Sequence, residues 1–144
     1  MTRPSPTRRT AIEVEMTLAL LRDERAGAVE SRWTYDSTAP LEVRILIHPG
    51  TENVEWVFAR ELITAGLHAA AGEGDVKLFP WCGERSDDVR LALISPDGSA
   101  LLDVPRRPLL KFHRSTTRLV PLGRESAFLY VPDSPAALDD GMQS

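Results

Sequence analysis

The segment Asn53-Val54-Glu55-Trp56-Val57-Phe58-Ala59-Arg60-Glu61-Leu62 changes its hydrophobic period partway along. Val54, Trp56 and Phe58 recur at every second residue, the spacing of a strand with one face buried. Leu62, Ile63 and Leu67 then follow helical spacing. A strand thus runs almost directly into a helix, and two large aromatics lock the junction. Trp56 and Phe58 alternate with Glu55 and Val57 and are expected in the core. Arg60 is expected to stack or pair at the helix start, or to sit at an interface.

The flanking sequence extends this plan in both directions. Ile12, Val14, Met16, Leu18 and Leu20 alternate with Glu13, Glu15, Thr17 and Ala19, which predicts a half-buried strand. The interval 23–27 breaks it. A shorter strand over 31–35 places Trp33 and Tyr35 on one face, and Leu41, Val43, Ile45 and Ile47 mark a third strand. After the strand at 54–58, a helix is expected over 60–70, ended by Gly72. The second half repeats the plan more briefly. Strands are expected at 76–79 and around Val89, Leu91 and Leu93. Ser95-Pro96-Asp97-Gly98 is a turn signal, since proline presets φ and glycine accepts a positive value. Residues 100–104 return as the hairpin partner. A second helix is expected over 108–119, with Pro108 tolerated in its first turn. Four strands, a helix, three strands and a helix predict an α+β domain built on antiparallel sheet.

That domain is expected over 11–132, with Leu129-Tyr130-Val131 as a last short strand or docking segment. Residues 1–10 carry Arg3, Arg8, Arg9, Pro4 and Pro6 and read as a disordered basic arm. Residues 133–144 carry Asp133, Asp139 and Asp140 without Lys or Arg and read as a disordered acidic tail. Neither a secretory signal nor a run long enough to span a bilayer is present, so no membrane insertion is expected.

Catalytic and metal chemistry is sparse. His48, His68 and His113 lack ligand spacing. Gly72-Glu73-Gly74-Asp75 follows an expected helix and precedes a strand, the reverse of a phosphate loop, and reads as a turn. Asp87 and Asp88, adjacent at a strand entrance, point to opposite faces. Cys82 is the sole cysteine, which excludes an internal disulfide, and it has no histidine nearby in sequence. No cofactor, metal or catalytic residue is expected.

One charge pattern remains. Arg107, Lys111, Arg114 and Arg118 are spaced by four, three and four residues and share a face of the second helix. With Arg106 and Arg124 they make the interval 104–124 wholly cationic. This is either a solvated face or a docking stripe for an acidic partner or a phosphate backbone. The formal net charge of -4 and the 6% aromatic content disfavour a single-strand binder, which combines a positive groove with aromatic platforms.

Three segments together carry a family resemblance. They are Val54-Glu55-Trp56-Val57-Phe58-Ala59-Arg60-Glu61-Leu62, Gly72-Glu73-Gly74-Asp75-Val76, and Ser95-Pro96-Asp97-Gly98-Ser99-Ala100-Leu101-Leu102. With Tyr35-Asp36 and Pro40, their order and gaps resemble the SsgA-like proteins over residues 11–120, and most nearly the SsgB type. These are small sporulation and cell-division regulators of actinobacteria. The resemblance implies a non-enzymatic, cytoplasmic protein at the division septum. It implies recruitment of the tubulin-like protein FtsZ together with an SsgA-type partner. It also implies a homotrimer with a fold similar to the Whirly single-stranded-DNA-binding proteins. Binding of single-stranded nucleic acid is the alternative function that this fold analogy raises.

Overall fold

The computed structural model describes residues 10–22, 25–48, 53–80, 88–96 and 98–128. The strands of the first half are β1 (Ala11–Arg22), β2 (Arg25–Asp36), β3 (Glu42–His48) and β4 (Val54–Ala59), followed by helix α1 (Arg60–Gly66). The second half has β5 (Ala71–Glu73), β6 (Val76–Pro80), β7 (Val89–Ser95) and β8 (Gly98–Val104), followed by helix α2 (Arg106–Leu119). A short 3-10 turn covers Glu125–Phe128. Every strand pairing is antiparallel, and one sheet runs in the order β4-β3-β2-β1-β8-β7-β6-β5. The halves join where Ala19, Leu20 and Leu21 of β1 face Asp103, Leu102 and Leu101 of β8. The expected α+β class and antiparallel sheet are present.

The element order differs from expectation by one strand. Helix α1 stops at Gly66, where residues up to 70 were expected. Gly66 packs so closely on Leu78 that an added Cβ would come within 2.8 Å of that side chain. The chain then turns through Leu67 and His68, and Ala71–Glu73 pairs with Val76–Leu78. Gly74, at φ 68, makes the turn between the two strands. Gly72 therefore belongs to β5 and does not end the helix. The alanine run around 70 favours helix locally, but a backbone partner in β6 overrides it.

Two further boundaries move, the first for the same reason and the second for a local one. β2 begins at Arg25, ahead of the expected 31, because it faces β1 residue for residue from Arg22↔Arg25 to Ala11↔Asp36. Gly27 and its alanine neighbours have little strand preference of their own. α2 begins at Arg106, two residues before Pro108. The extended Pro105 supplies its N-cap, and Pro108 falls in the first turn, where its missing N–H breaks no intrahelical hydrogen bond.

The inward faces of the strands and the buried faces of both helices share one core. Trp33 is its centre, fully buried between Phe58 and Phe112, with ring centroids 6.3 and 6.0 Å away in edge contact. The indole N–H donates to Ser31 Oγ at 2.9 Å, and that hydroxyl donates to Met16 O at 2.8 Å. Phe58 is core as expected, while Trp56 is only half-buried against it. β4 is a sheet edge, so its inward side chains toward Val54 have neighbours on one side only. The sheet curls until both edges, β4 and β5, line one groove of about 490 Å³ with Leu62 and Ala65 of α1.

Candidate protein-docking face

Helix α2 is amphipathic in the strict sense. Leu109, Phe112, His113 and Thr116 are buried. Arg107, Lys111, Arg114 and Arg118 are all exposed. The spacing argument is thus met, and the four side chains stand together along one groove. Its volume is about 930 Å³, and its walls include Val14 of β1 and Pro108, Leu110, Phe112 and Ser115 of α2. An apolar floor with a cationic rim results.

None of the four cations forms an ion pair among the described residues. Arginines on the sheet behave differently. Arg32 meets Glu15, Arg44 meets Glu42 and Glu55, and Arg90 meets Asp103. The two acids that bracket the cationic interval in sequence are both committed elsewhere, Asp103 to Arg90 and Glu125 to Arg60. Helix stability does not explain the stripe either. Arg107 stands on the first turn, where the helix end is already positive, and only Arg118 lies where the macrodipole favours a cation.

A buried arginine fixes the far end of this helix. Arg60 opens α1 and is 1% exposed. Its Nη1 donates to the carbonyls of Thr116 at 3.0 Å and Val120 at 2.7 Å. Thr116 O also accepts the Val120 N–H at 2.8 Å, while the Val120 carbonyl lies past the helix end and takes its donor from Arg60. Its Nη2 donates to the Glu125 carboxylate at 2.6 Å. The guanidinium also lies 5.0 Å from the centre of the Tyr35 ring, within cation–π range. Arg60 therefore both stacks and pairs, as the sequence suggested. The partner it finds is the end of the other helix, with Glu125 lying 65 residues away in sequence.

Charge states at this clamp follow from burial and contact. The Arg60 hydrogen bond holds the Glu125 carboxyl below its ordinary 4.5. Burial pushes the Tyr35 phenol up to about 12, against the pull of Arg60, so its hydroxyl stays protonated and donates to Pro40 O at 2.8 Å. Burial, and secondarily Arg60, lowers the His113 pKa from 6.5. Its ring Nε2 shares a 3.0 Å hydrogen bond with the Thr64 hydroxyl on α1. Asp36, beside Tyr35, accepts from Thr38 N at 2.9 Å and Thr38 Oγ1 at 2.8 Å and so shapes the turn into β3.

The other candidate residues are dispersed. His48 bonds Asn53 at 2.7 Å, His68 is exposed, and His113 is buried in α2. Among the described residues no group of three or more His, Cys, Asp or Glu side chains is placed to hold a metal ion. Gly72–Asp75 enters the β5–β6 hairpin and is followed directly by a strand, β6. Asp88 is half-buried just before β7, while Asp87 and Cys82 lie outside the described residues. The same holds for the basic arm up to residue 9, the strand expected at 129–131 and the acidic tail. Thr10 is tied down, accepting from Ser37 N at 2.9 Å. No helix of the described residues is long and apolar enough to cross a membrane.

Comparison with known proteins points to one family. Residues 29–125 match the family described as Streptomyces sporulation and cell division protein, SsgA. The sporulation-specific cell division protein SsgB of Salinispora tropica is 46% identical over 88% of this chain and 92% of its own. SsgB of Streptomyces coelicolor is 40% identical over 81% of this chain and 86% of its own. A solved structure from work correlating mutations in SsgB with longitudinal cell division in Streptomyces coelicolor superposes with a TM-score of 0.80. It is 38% identical and covers 84% of this chain and 97% of that one. A solved SsgA-like sporulation-specific cell division protein from Thermobifida fusca gives 0.78 at 37% identity, covering 88% and 92%.

Proposed function

The chain belongs to the SsgA family of sporulation and cell-division proteins and is similar to its SsgB-type members, and from that premise we propose that it recruits FtsZ to developing septa by direct protein contact. The family is one of cell-division proteins and not a known enzyme family. The chain's role is accordingly cell division during sporulation. In this reading it acts in the cytoplasm at the septum, as a homotrimer, with an SsgA-type partner. The exposed valines of the β4 edge, Val54 and Val57, support self-association, because an unpaired edge strand with apolar side chains calls for cover. The four-strand-plus-helix unit, present twice, supports a Whirly-like arrangement.

One observation carries the choice of surface: the α2 groove presents four cations that no carboxylate among the described residues neutralises. An acidic partner segment would be steered to such a stripe and gain mainly in association rate. Nucleic acid is the weaker reading for this groove. Its one aromatic, Phe112, is buried, so no ring is offered for base stacking.

Co-pelleting with assembled FtsZ is the test, with light scattering for the oligomer. Binding at near-physiological salt by a trimer is expected. A monomer at micromolar concentration removes the trimer. Absence of co-pelleting with either wild-type chain or its SsgA-type complex removes recruitment. Submicromolar, salt-sensitive affinity for single-stranded DNA reverses the ranking of partners.

A further inference from the structure

The α2 groove has a candidate occupant within the chain itself. The last described element, Glu125–Phe128, is anchored beside the C-terminal end of α2 by the Arg60–Glu125 contact. The residues that follow are Leu129-Tyr130-Val131-Pro132-Asp133-Ser134-Pro135-Ala136-Ala137-Leu138-Asp139-Asp140. They contain three acids and no Lys or Arg. They also carry Leu129, Tyr130, Val131 and Leu138, apolar groups suited to a floor that includes Val14 and Leu110.

Length permits the return. The cationic stripe from Arg107 to Arg118 covers roughly 16 Å at about 1.5 Å per helical residue. Twelve residues after Phe128 reach up to about 40 Å when extended. Asp133 can thus come to the Arg118 end while Asp139 and Asp140 come to Lys111 and Arg107. We propose that residues 129–140 lie in the α2 groove of their own chain and mask its cations from a partner; the masking half of this proposal rests on the docking reading above. Local concentration favours the tethered segment, so a free acidic partner must displace it.

The chain contains only two lysines, Lys111 in the groove and Lys77 on the exposed side of β6. Carbodiimide cross-linking of the full chain, which joins a carboxylate to a lysine amine in direct contact, therefore reads the groove against an internal reference. Light and isotope-labelled chains, denatured together and refolded, separate links within a chain from links between chains. Peptides joining Lys111 to Asp133, Asp139 or Asp140 are expected at least tenfold above those joining Lys77 to the same acids. They should pair light with light and heavy with heavy. Their yield should drop severalfold at about 1 M salt, where screening acts within ~3 Å. It should drop likewise in Arg114→Glu/Arg118→Glu, which keeps Lys111 as reporter.

Equal yields at the two lysines, insensitivity to the charge reversal, or mixed light–heavy links overturn the proposal. The partner assay keeps the two readings apart. If the cross-links are absent yet Lys111→Glu/Arg114→Glu weakens FtsZ binding, the docking reading stands and occupancy by the segment falls. If the cross-links form and partner binding ignores that reversal, occupancy stands, and docking and masking fall. With both in place, Asp133→Asn/Asp139→Asn/Asp140→Asn should tighten partner binding severalfold, and an unchanged affinity overturns masking.

Discussion

One end of α2 is closed by a buried arginine, and the exposed side of the same helix carries a row of exposed cations. Arg60 has carbonyl, carboxylate and aromatic partners at once. Arg107, Lys111, Arg114 and Arg118 have no ion pair among the described residues. The contrast separates two uses of positive charge. A guanidinium removed from water must have its charge matched, because an unmatched buried charge is strongly destabilising. A cation left in water contributes little to the fold and stays available for a partner. In this chain, burial sorts the structural cation from the candidate docking cations more sharply than residue type does.

The sharpest way to break the comparison is to delete Arg60. Arg60→Met strands the Val120 carbonyl, removes the second donor to Thr116 O and leaves Glu125 without its partner. A loss of about 3–5 kcal/mol is expected from chemical denaturation, the range for breaking a buried pair from one side. Arg60→Lys keeps the charge and loses the planar fork, so it should recover only part of that loss. A near-wild-type midpoint for Arg60→Met would show that the clamp is incidental to closing the two halves.

Glu125 is the next test, with a smaller effect because its side chain is 21% exposed. Glu125→Gln removes a charge-assisted bond, and a loss of about 1.5–3 kcal/mol is expected at neutral pH. Its folded pKa lies below 4.5, so the contribution is fully present above that value and disappears as pH falls through the folded pKa. Wild type and variant should therefore converge in acid. Stability curves that stay parallel down to pH 3 would mean that the 2.6 Å contact contributes nothing linked to ionisation.

His113 titrates in a different window. Its folded pKa is below 6.5, so the unfolded chain binds the proton more readily. Stability is highest with the ring neutral and declines as pH drops from 6.5 toward the folded value. His113→Gln should flatten that part of the curve and leave the lower, Glu125 part in place. A wild-type curve that is flat from pH 7 to pH 5 would contradict the buried, Arg60-facing position of the imidazole.

Sequence legibility follows the same division between local and long-range causes. The alternation of β1, the strand-to-helix switch at Arg60 and the Ser95–Gly98 turn are written in adjacent residues, and all three are present. So is the common face of the four α2 cations, since 3.6-residue periodicity is a local property. What escaped the pattern depends on partners far along the chain. β5 exists because β6 offers it a ladder, and the first half of β2 exists because β1 does. Trp56 looked as buried as Phe58 because alternation reports a face and not a neighbour; its place on an edge strand leaves it half-covered. The Glu125 contact had one available signal, namely that Glu125 is the first acid after a long cationic interval. The identity of its partner required the fold.

The smallest effect on stability should come from the exposed side of α2, and this asymmetry is what makes the comparison informative. Lys111→Glu with Arg114→Glu changes net charge by four units, from -4 to -8 by formal count. Both residues are exposed and lack carboxylate partners in the described structure. Surface substitutions of this kind stay within about 0.5 kcal/mol each. The melt should thus remain close to wild type, well above that of Arg60→Met. FtsZ co-pelleting should fall, and fall more at low salt than at high salt, because screening already weakens the wild-type attraction at high ionic strength. A variant that unfolds would place these cations in a structural role like that of Arg60. A variant that folds and binds FtsZ as the wild type does at low salt would reduce the stripe to a solvated face. The docking surface would then have to be sought at the β4 edge, where Val54 and Val57 are exposed.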